Sequence, residues 1–120
     1  MLRVTDEERE KRIREYLSKG ALLLAFKEST FLKKISPELG SRFSILLAEA
    51  DELWQAIEVV RKIKDKKVRE KVKEEIEGII KRRIGNFKHK LLKNKFPEAR
   101  KAFRSQIVYL EEKLEQIKKL

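Results

Sequence analysis

No cysteine occurs in the 120 residues. Disulfide frameworks, thiolate metal sites and thiol nucleophiles are thereby excluded. A single histidine, His89, leaves nothing from which to build a several-imidazole metal centre or a histidine pair. No glycine-rich phosphate loop, dinucleotide fingerprint or serine-nucleophile elbow is present. The longest apolar run, Ala21 to Phe26, is far too short to span a bilayer, and the N-terminal stretch from Met1 to Glu8 has no apolar signal core. These absences point to a soluble, cytoplasmic protein without cofactor, resident metal or membrane partner. The carboxylates cluster as Asp6-Glu7-Glu8, Glu74-Glu75-Glu77 and Glu111-Glu112-Glu115, mostly with lysines one helical turn away, the pattern of solvated helix faces.

Glycine and proline are also scarce, four and two residues, so few turns punctuate the chain. Apolar residues recur at three- and four-residue steps almost throughout, which assigns an all-α class. At this length one domain over residues 1–120 is expected, built as a bundle of four or five helices with two long antiparallel helices. Thr5 with Glu8 forms a capping-box signature for a first helix carrying Ile13, Tyr16, Leu17, Ala21 and Leu24 on one stripe. Gly20 marks either a kink or an end of that helix. Ser36-Pro37 signals a second start, serine as cap and proline at the first helical position. From there Phe43, Leu46, Ala50, Leu53, Ile57 and Val60, widened by Leu47 and Trp54, predict one long helix. Lys62 to Lys67 is either an exposed turn of a helical hairpin or part of a helix continuous from 37 to 93. Val68, Val72, Ile76, Ile79, Ile80, Ile84, Phe87 and Leu91 then resume helical spacing. Gly78 and Gly85, seven residues apart, are either tolerated or leave room for another helix. Asn94 to Pro97 ends this helix, and Pro97 opens a last one with Ala99, Phe103, Ile107, Leu110, Leu114 and Ile117 on its stripe.

What the chain has in abundance is charge, 42% of its residues, at a net +11. Lys, Arg and Glu dominate while Asn is rare, a composition typical of proteins from hot environments. The excess is not spread evenly. Between residues 81 and 104 stand Lys81, Arg82, Arg83, Lys88, Lys90, Lys93, Lys95, Arg100, Lys101 and Arg104 against Glu98 alone, so this stretch holds +9 and the remainder only +2. Such a concentration attracts polyanions, because each neutralised phosphate releases condensed counterions. The ten residues are the candidate nucleic-acid contacts, for DNA or RNA. Phe87, Phe96 and Phe103 lie among them as candidate stacking groups, but their helical phase assigns them to the core. A basic face that is merely solvated is the plain alternative.

Two resemblances give these features a specific form. The stretches Glu28-Ser29-Thr30-Phe31-Leu32-Lys33-Lys34-Ile35-Ser36-Pro37, Ile79-Ile80-Lys81-Arg82-Arg83-Ile84-Gly85-Asn86-Phe87 and Pro97-Glu98-Ala99-Arg100-Lys101-Ala102-Phe103 resemble the helical A domain of GINS replication-complex subunits, across about Glu28 to Leu120. That resemblance implies a non-enzymatic subunit joined to other helical subunits at the replication fork. The family's small β domain has no counterpart here, and Leu39-Gly40 replaces its usual aromatic pair after the proline. The second is Arg83-Ile84-Gly85-Asn86-Phe87-Lys88-His89, similar to the arginine-to-histidine motif of HEPN-domain ribonucleases. It implies metal-independent RNA cleavage in a dimer, with His89 as general acid or base and Arg83 stabilising phosphorane charge. A third possibility is a structural protein–protein interaction module. On each reading a homo-oligomer or an assembly with other protein subunits is expected, since long helices with wide apolar stripes leave surface for a partner.

Overall fold

The computed structural model describes residues 3–120, so the N-terminal reading over Met1 and Leu2 lies outside the described residues. Six helices follow one another: α1 (Asp6–Ser18), α2 (Leu22–Ser29), α3 (Pro37–Glu49), α4 (Leu53–Lys62), α5 (Lys66–Lys93) and α6 (Pro97–Lys118). The all-α class holds, and the only β pairing among the described residues is an isolated bridge between Ile35 and Ile63. The chain divides into two compact units, Met1–Val72 and Lys73–Leu120, with the boundary inside α5.

The first unit consists of two short helical hairpins, α1 with α2 and α3 with α4, in mutual contact. Each hairpin turns through the same device. After α1, Gly20 adopts a left-handed φ of 72°, its N–H donates to the Leu17 carbonyl at 3.1 Å, and the Ala21 N–H reaches back to the Tyr16 carbonyl at 2.9 Å. After α3, Asp51 takes the left-handed position at φ 63°, donating to the Ala48 carbonyl at 3.1 Å, while Glu52 donates to the Leu47 carbonyl at 2.8 Å. Both are Schellman turns, which satisfy carbonyls that a helix end leaves open. The first shows Gly20 to be a helix terminator. The second corrects the single long helix expected from residue 37 to 60. The break re-phases the stripe: Phe43, Leu47, Leu53, Ile57 and Val60 are buried, whereas Ala50 and Trp54 are exposed.

Polar ties hold the hairpins together. Thr5 caps α1, its Oγ1 accepting from the Glu8 N–H at 3.1 Å. Ser36 stands at the N-cap of α3, but its hydroxyl does not cap that helix. It donates instead to Glu10 Oε1 at 2.6 Å, and its N–H donates to Glu10 Oε2 at 3.2 Å. The buried Glu10 carboxylate thus docks α1 on the entry to α3. Arg9 and Arg12 both reach Glu28, at 3.1 and 3.3 Å, linking α1 to α2. The Ile35 N–H donates to the Lys62 carbonyl at 2.7 Å and the Lys64 N–H to the Ile35 carbonyl at 3.0 Å, so the segment before α3 is stitched to the end of α4. Lys62 adds an ammonium donation to the Ser29 carbonyl at 2.9 Å. Burial lowers the pKa of that ammonium below the ordinary lysine value, while Glu58 opposes the shift. Between Lys62 and Lys67, where an exposed turn or a helix continuous from 37 to 93 is expected, the chain turns between α4 and α5, and the fully buried Ile63 anchors the start of that turn. Asp65 then starts α5, its Oδ1 accepting from the N–H groups of Lys67 and Val68 at 2.8 and 3.2 Å.

In the second unit α5 and α6 form the two long antiparallel helices. Three contacts along their length set the direction. The Lys73 ammonium donates to the Leu120 carbonyl at 2.6 Å, the Phe87 and Phe103 rings lie 6.1 Å apart, and the Arg100 guanidinium donates to the Leu91 carbonyl at 2.6 Å. Ile76, Ile80 and Ile84 on α5 and Ile107, Leu110 and Ile117 on α6 are buried along the two stripes.

The glycines separate by role. A Cβ on Gly40 meets Ile63 Cγ1 at 2.5 Å, so α3 approaches the Ile35–Ile63 bridge only because this residue has no side chain. Gly78 and Gly85 have open space around the Cβ position. Gly40→Ala is expected to cost about 1–3 kcal/mol by overpacking, measured by urea unfolding. In the same assay Gly20→Ala loses about 1 kcal/mol from its left-handed backbone, whereas Gly78→Ala and Gly85→Ala each gain roughly 0.5–1 kcal/mol.

Candidate nucleic-acid interface

Folding α5 back on α6 brings both halves of the basic stretch to one end of the hairpin. At about 1.5 Å per residue, Lys81 to Lys93 runs roughly 20 Å down to the turn, and Arg100 to Arg104 begins the return. All ten basic candidates therefore belong to the turn end. Lys81, Arg82, Lys88, Lys90, Lys93, Lys95, Lys101 and Arg104 are exposed, and Arg83 and Arg100 are half-buried. At the opposite end residues 73–80 and 105–120 hold four lysines against six glutamates, a formal −2 beside the +9 of the tip. Glu74, Glu75, Glu111, Glu112 and Glu115 are exposed there, as expected for solvated faces, and Glu77 is half-buried. Among the described residues no group of carboxylates and histidine is placed to hold a metal ion.

The three-residue turn between the helices is tightly fixed. The Asn94 N–H donates to the Lys90 carbonyl at 3.1 Å, and the Asn94 side-chain oxygen accepts from the Phe96 N–H at 2.9 Å. Pro97 occupies the first turn of α6, where a missing N–H costs nothing. Arg100 closes the arrangement. Its guanidinium donates to the carbonyls of Leu91 and Asn94 at 2.6 and 3.0 Å, and its N–H to the Phe96 carbonyl at 3.0 Å. The sequence singles out Arg100 for its charge alone, yet its guanidinium is engaged in terminating α5, where it satisfies carbonyls left open at that helix end.

The aromatic residues also fall differently from the expectation that all three are core. Phe87 and Phe103 face each other across the hairpin and are half-buried, with the Lys90 ammonium 5.3 Å from the centre of the Phe87 ring. Phe96 lies in the turn with 74% of its surface exposed, and Leu92, four residues earlier, is 83% exposed. Helical phase assigns Phe96 to the core, but the residue precedes α6 and belongs to no helix face. Beside the turn, His89, Lys90, Lys93, Asn94 and Phe103 line an open cleft of about 280 Å³. The cleft pairs two ammonium groups and an imidazole with an apolar wall, a combination suited to a phosphate flanked by an unpaired base.

His89 lines that cleft, and Arg83 is not among its lining residues. Six positions along an α-helix correspond to about 9 Å of rise and roughly 120° of rotation between side chains. One copy of the chain therefore directs Arg83 and His89 to different sides of α5. No helix among the described residues is long and apolar enough to cross a membrane. Neither a protein-family model, nor a curated protein, nor a solved structure matches the chain.

Replacing Arg100 separates its structural role from its charge. Arg100→Ala is expected to lower stability by about 1–3 kcal/mol, since it leaves turn carbonyls without their charged donor. The neighbouring Lys101→Ala removes the same charge and stays within about 0.5 kcal/mol of the parent. Thermal unfolding followed by circular dichroism distinguishes the two.

Proposed function

We propose that this protein is a non-enzymatic helical subunit that contacts DNA or RNA through the basic tip of the α5–α6 hairpin. The observation that carries this reading is the segregation of charge, nine net positive charges at the turn end of a hairpin whose other end is acidic. A solvated surface has no need to separate its charges in this way, and the concentration of like charge opposes folding unless a polyanion relieves it. Eight of the ten cations are exposed, which keeps them available to phosphates. Over roughly 20 Å the eight exposed cations amount to about one per 2.5 Å, of the same order as the one phosphate per ~1.7 Å of duplex axis.

The resemblance to the GINS A domain gives the proposal its setting, a subunit of a DNA replication or other nucleic-acid-processing assembly. Exposed apolar residues in the first unit, Leu23, Leu24, Phe31 and Trp54, are the surface through which we expect it to join protein neighbours or a second copy.

Binding of labelled DNA and RNA, followed by anisotropy between about 50 and 200 mM salt, tests the proposal. Affinity is expected to fall steeply with salt. Changing Lys81, Arg82, Lys88 and Lys93 together to Gln should weaken binding and flatten the slope by about 0.7–0.9 for each phosphate no longer neutralised. An unchanged slope, or no binding at the lower salt, contradicts it. RNA that is cleaved, in a reaction abolished by His89→Ala without unfolding, would select the HEPN-like ribonuclease instead.

A further inference from the structure

Phosphate attraction accounts for the lysines and arginines of the tip but not for the ring placed among them. Phe96 is one of the most exposed large apolar side chains in the described chain. Its backbone N–H and carbonyl are nonetheless both hydrogen-bonded. The N–H is held by the Asn94 side chain at 2.9 Å, the carbonyl by the Arg100 N–H at 3.0 Å, and Pro97 follows directly. A phenyl ring on a floppy turn would fold back onto the nearest apolar surface. Here an Asx-type hydrogen bond, a proline and an arginine clamp fix the backbone from which the ring projects to solvent, flanked in sequence by Lys93, Lys95 and Lys101. The same Asn94 that orients Phe96 also lines the cleft with His89, Lys90, Lys93 and Phe103.

We infer that the hairpin tip recognises single-stranded nucleic acid in particular, with Phe96 as the platform on which an unpaired base stacks. Lys90 and Lys93 hold the adjoining phosphate at the cleft. The inference rests on the nucleic-acid reading above and adds the form of nucleic acid and the residue that selects it. A duplex keeps its bases paired and stacked, so it offers the tip phosphates only. A single strand offers both, because every base has a π-face and a flexible backbone brings it to the ring. Asn94 acts as a positioning residue, through the turn.

Three probes of equal length separate the terms: a short labelled oligothymidine, an abasic strand with the same phosphates, and a duplex. Oligothymidine is expected to bind about tenfold more tightly than the abasic strand, the factor of one stacked base, and more tightly than the duplex. Phe96→Ala should bring oligothymidine down to the abasic level and leave the abasic strand unaffected, while Phe96→Trp retains the preference. An exposed ring tolerates both changes, and an unaltered melting curve verifies it. Equal, salt-sensitive binding of all three probes, untouched by Phe96→Ala, overturns the stacking inference while the phosphate-contacting reading stands. Absence of binding to any probe at low salt overturns both.

Discussion

The Arg100 guanidinium lies across the end of α5, donating to the Leu91 and Asn94 carbonyls while its own backbone N–H holds Phe96. Much of what distinguishes the second unit depends on that clamp. Together with the Asn94 side-chain bond and Pro97, it fixes the end of α5 at Lys93 and the three-residue reversal into α6. That reversal superimposes two basic segments which a longer or looser connection would leave apart. Holding ten cations together is costly, because like charges repel over distances comparable to the Debye length, roughly 8–10 Å at ordinary salt. The stripes of buried isoleucine and leucine and the Phe87–Phe103 contact oppose that repulsion, and Arg100 contributes both a charge and its restraint.

The first unit solves a different problem with similar means. Its helices are short, eight to thirteen residues, and helices of that length are marginal without packing. Two Schellman turns, the Glu10–Ser36 dock and the stitching of Ile35 to the end of α4 convert them into a fixed pair of hairpins. Gly40 is the steric condition for the last of these, since any side chain there would press on Ile63.

Much of this was legible in the sequence. The all-α class, the Thr5 cap, Pro37 and Pro97 at helix starts, the Asn94–Pro97 boundary and the concentration of charge all rest on local chemistry, which a sequence displays. The break at Asp51 was not legible, because its neighbours Glu49, Ala50 and Glu52 are all helix-tolerant, and the left-handed position is held by an aspartate rather than the usual glycine. Asp65 carried a readable N-cap signal, an aspartate before a helical run, that was obscured by the surrounding lysines. Ser36 looked like an ordinary cap because nothing local reveals that Glu10, twenty-six positions away, claims its hydroxyl. Within the candidate interface, the sequence supplied the ten cations but not their division of labour. That Arg100 is committed to the turn, and that Phe96 is exposed while Phe87 and Phe103 pair, follows from the hairpin geometry alone.

On the proposed function, the basic tip, and not another face of the protein, receives the polyanion. Two-dimensional NMR of the full chain titrated with a short single-stranded oligonucleotide tests it residue by residue. Shifts are expected to concentrate between residues 81 and 104, largest around Asn94 to Phe96 and the cleft residues His89, Lys90 and Lys93. Shifts centred instead on the first unit or on the acidic end of the hairpin, with the tip unmoved, would contradict it.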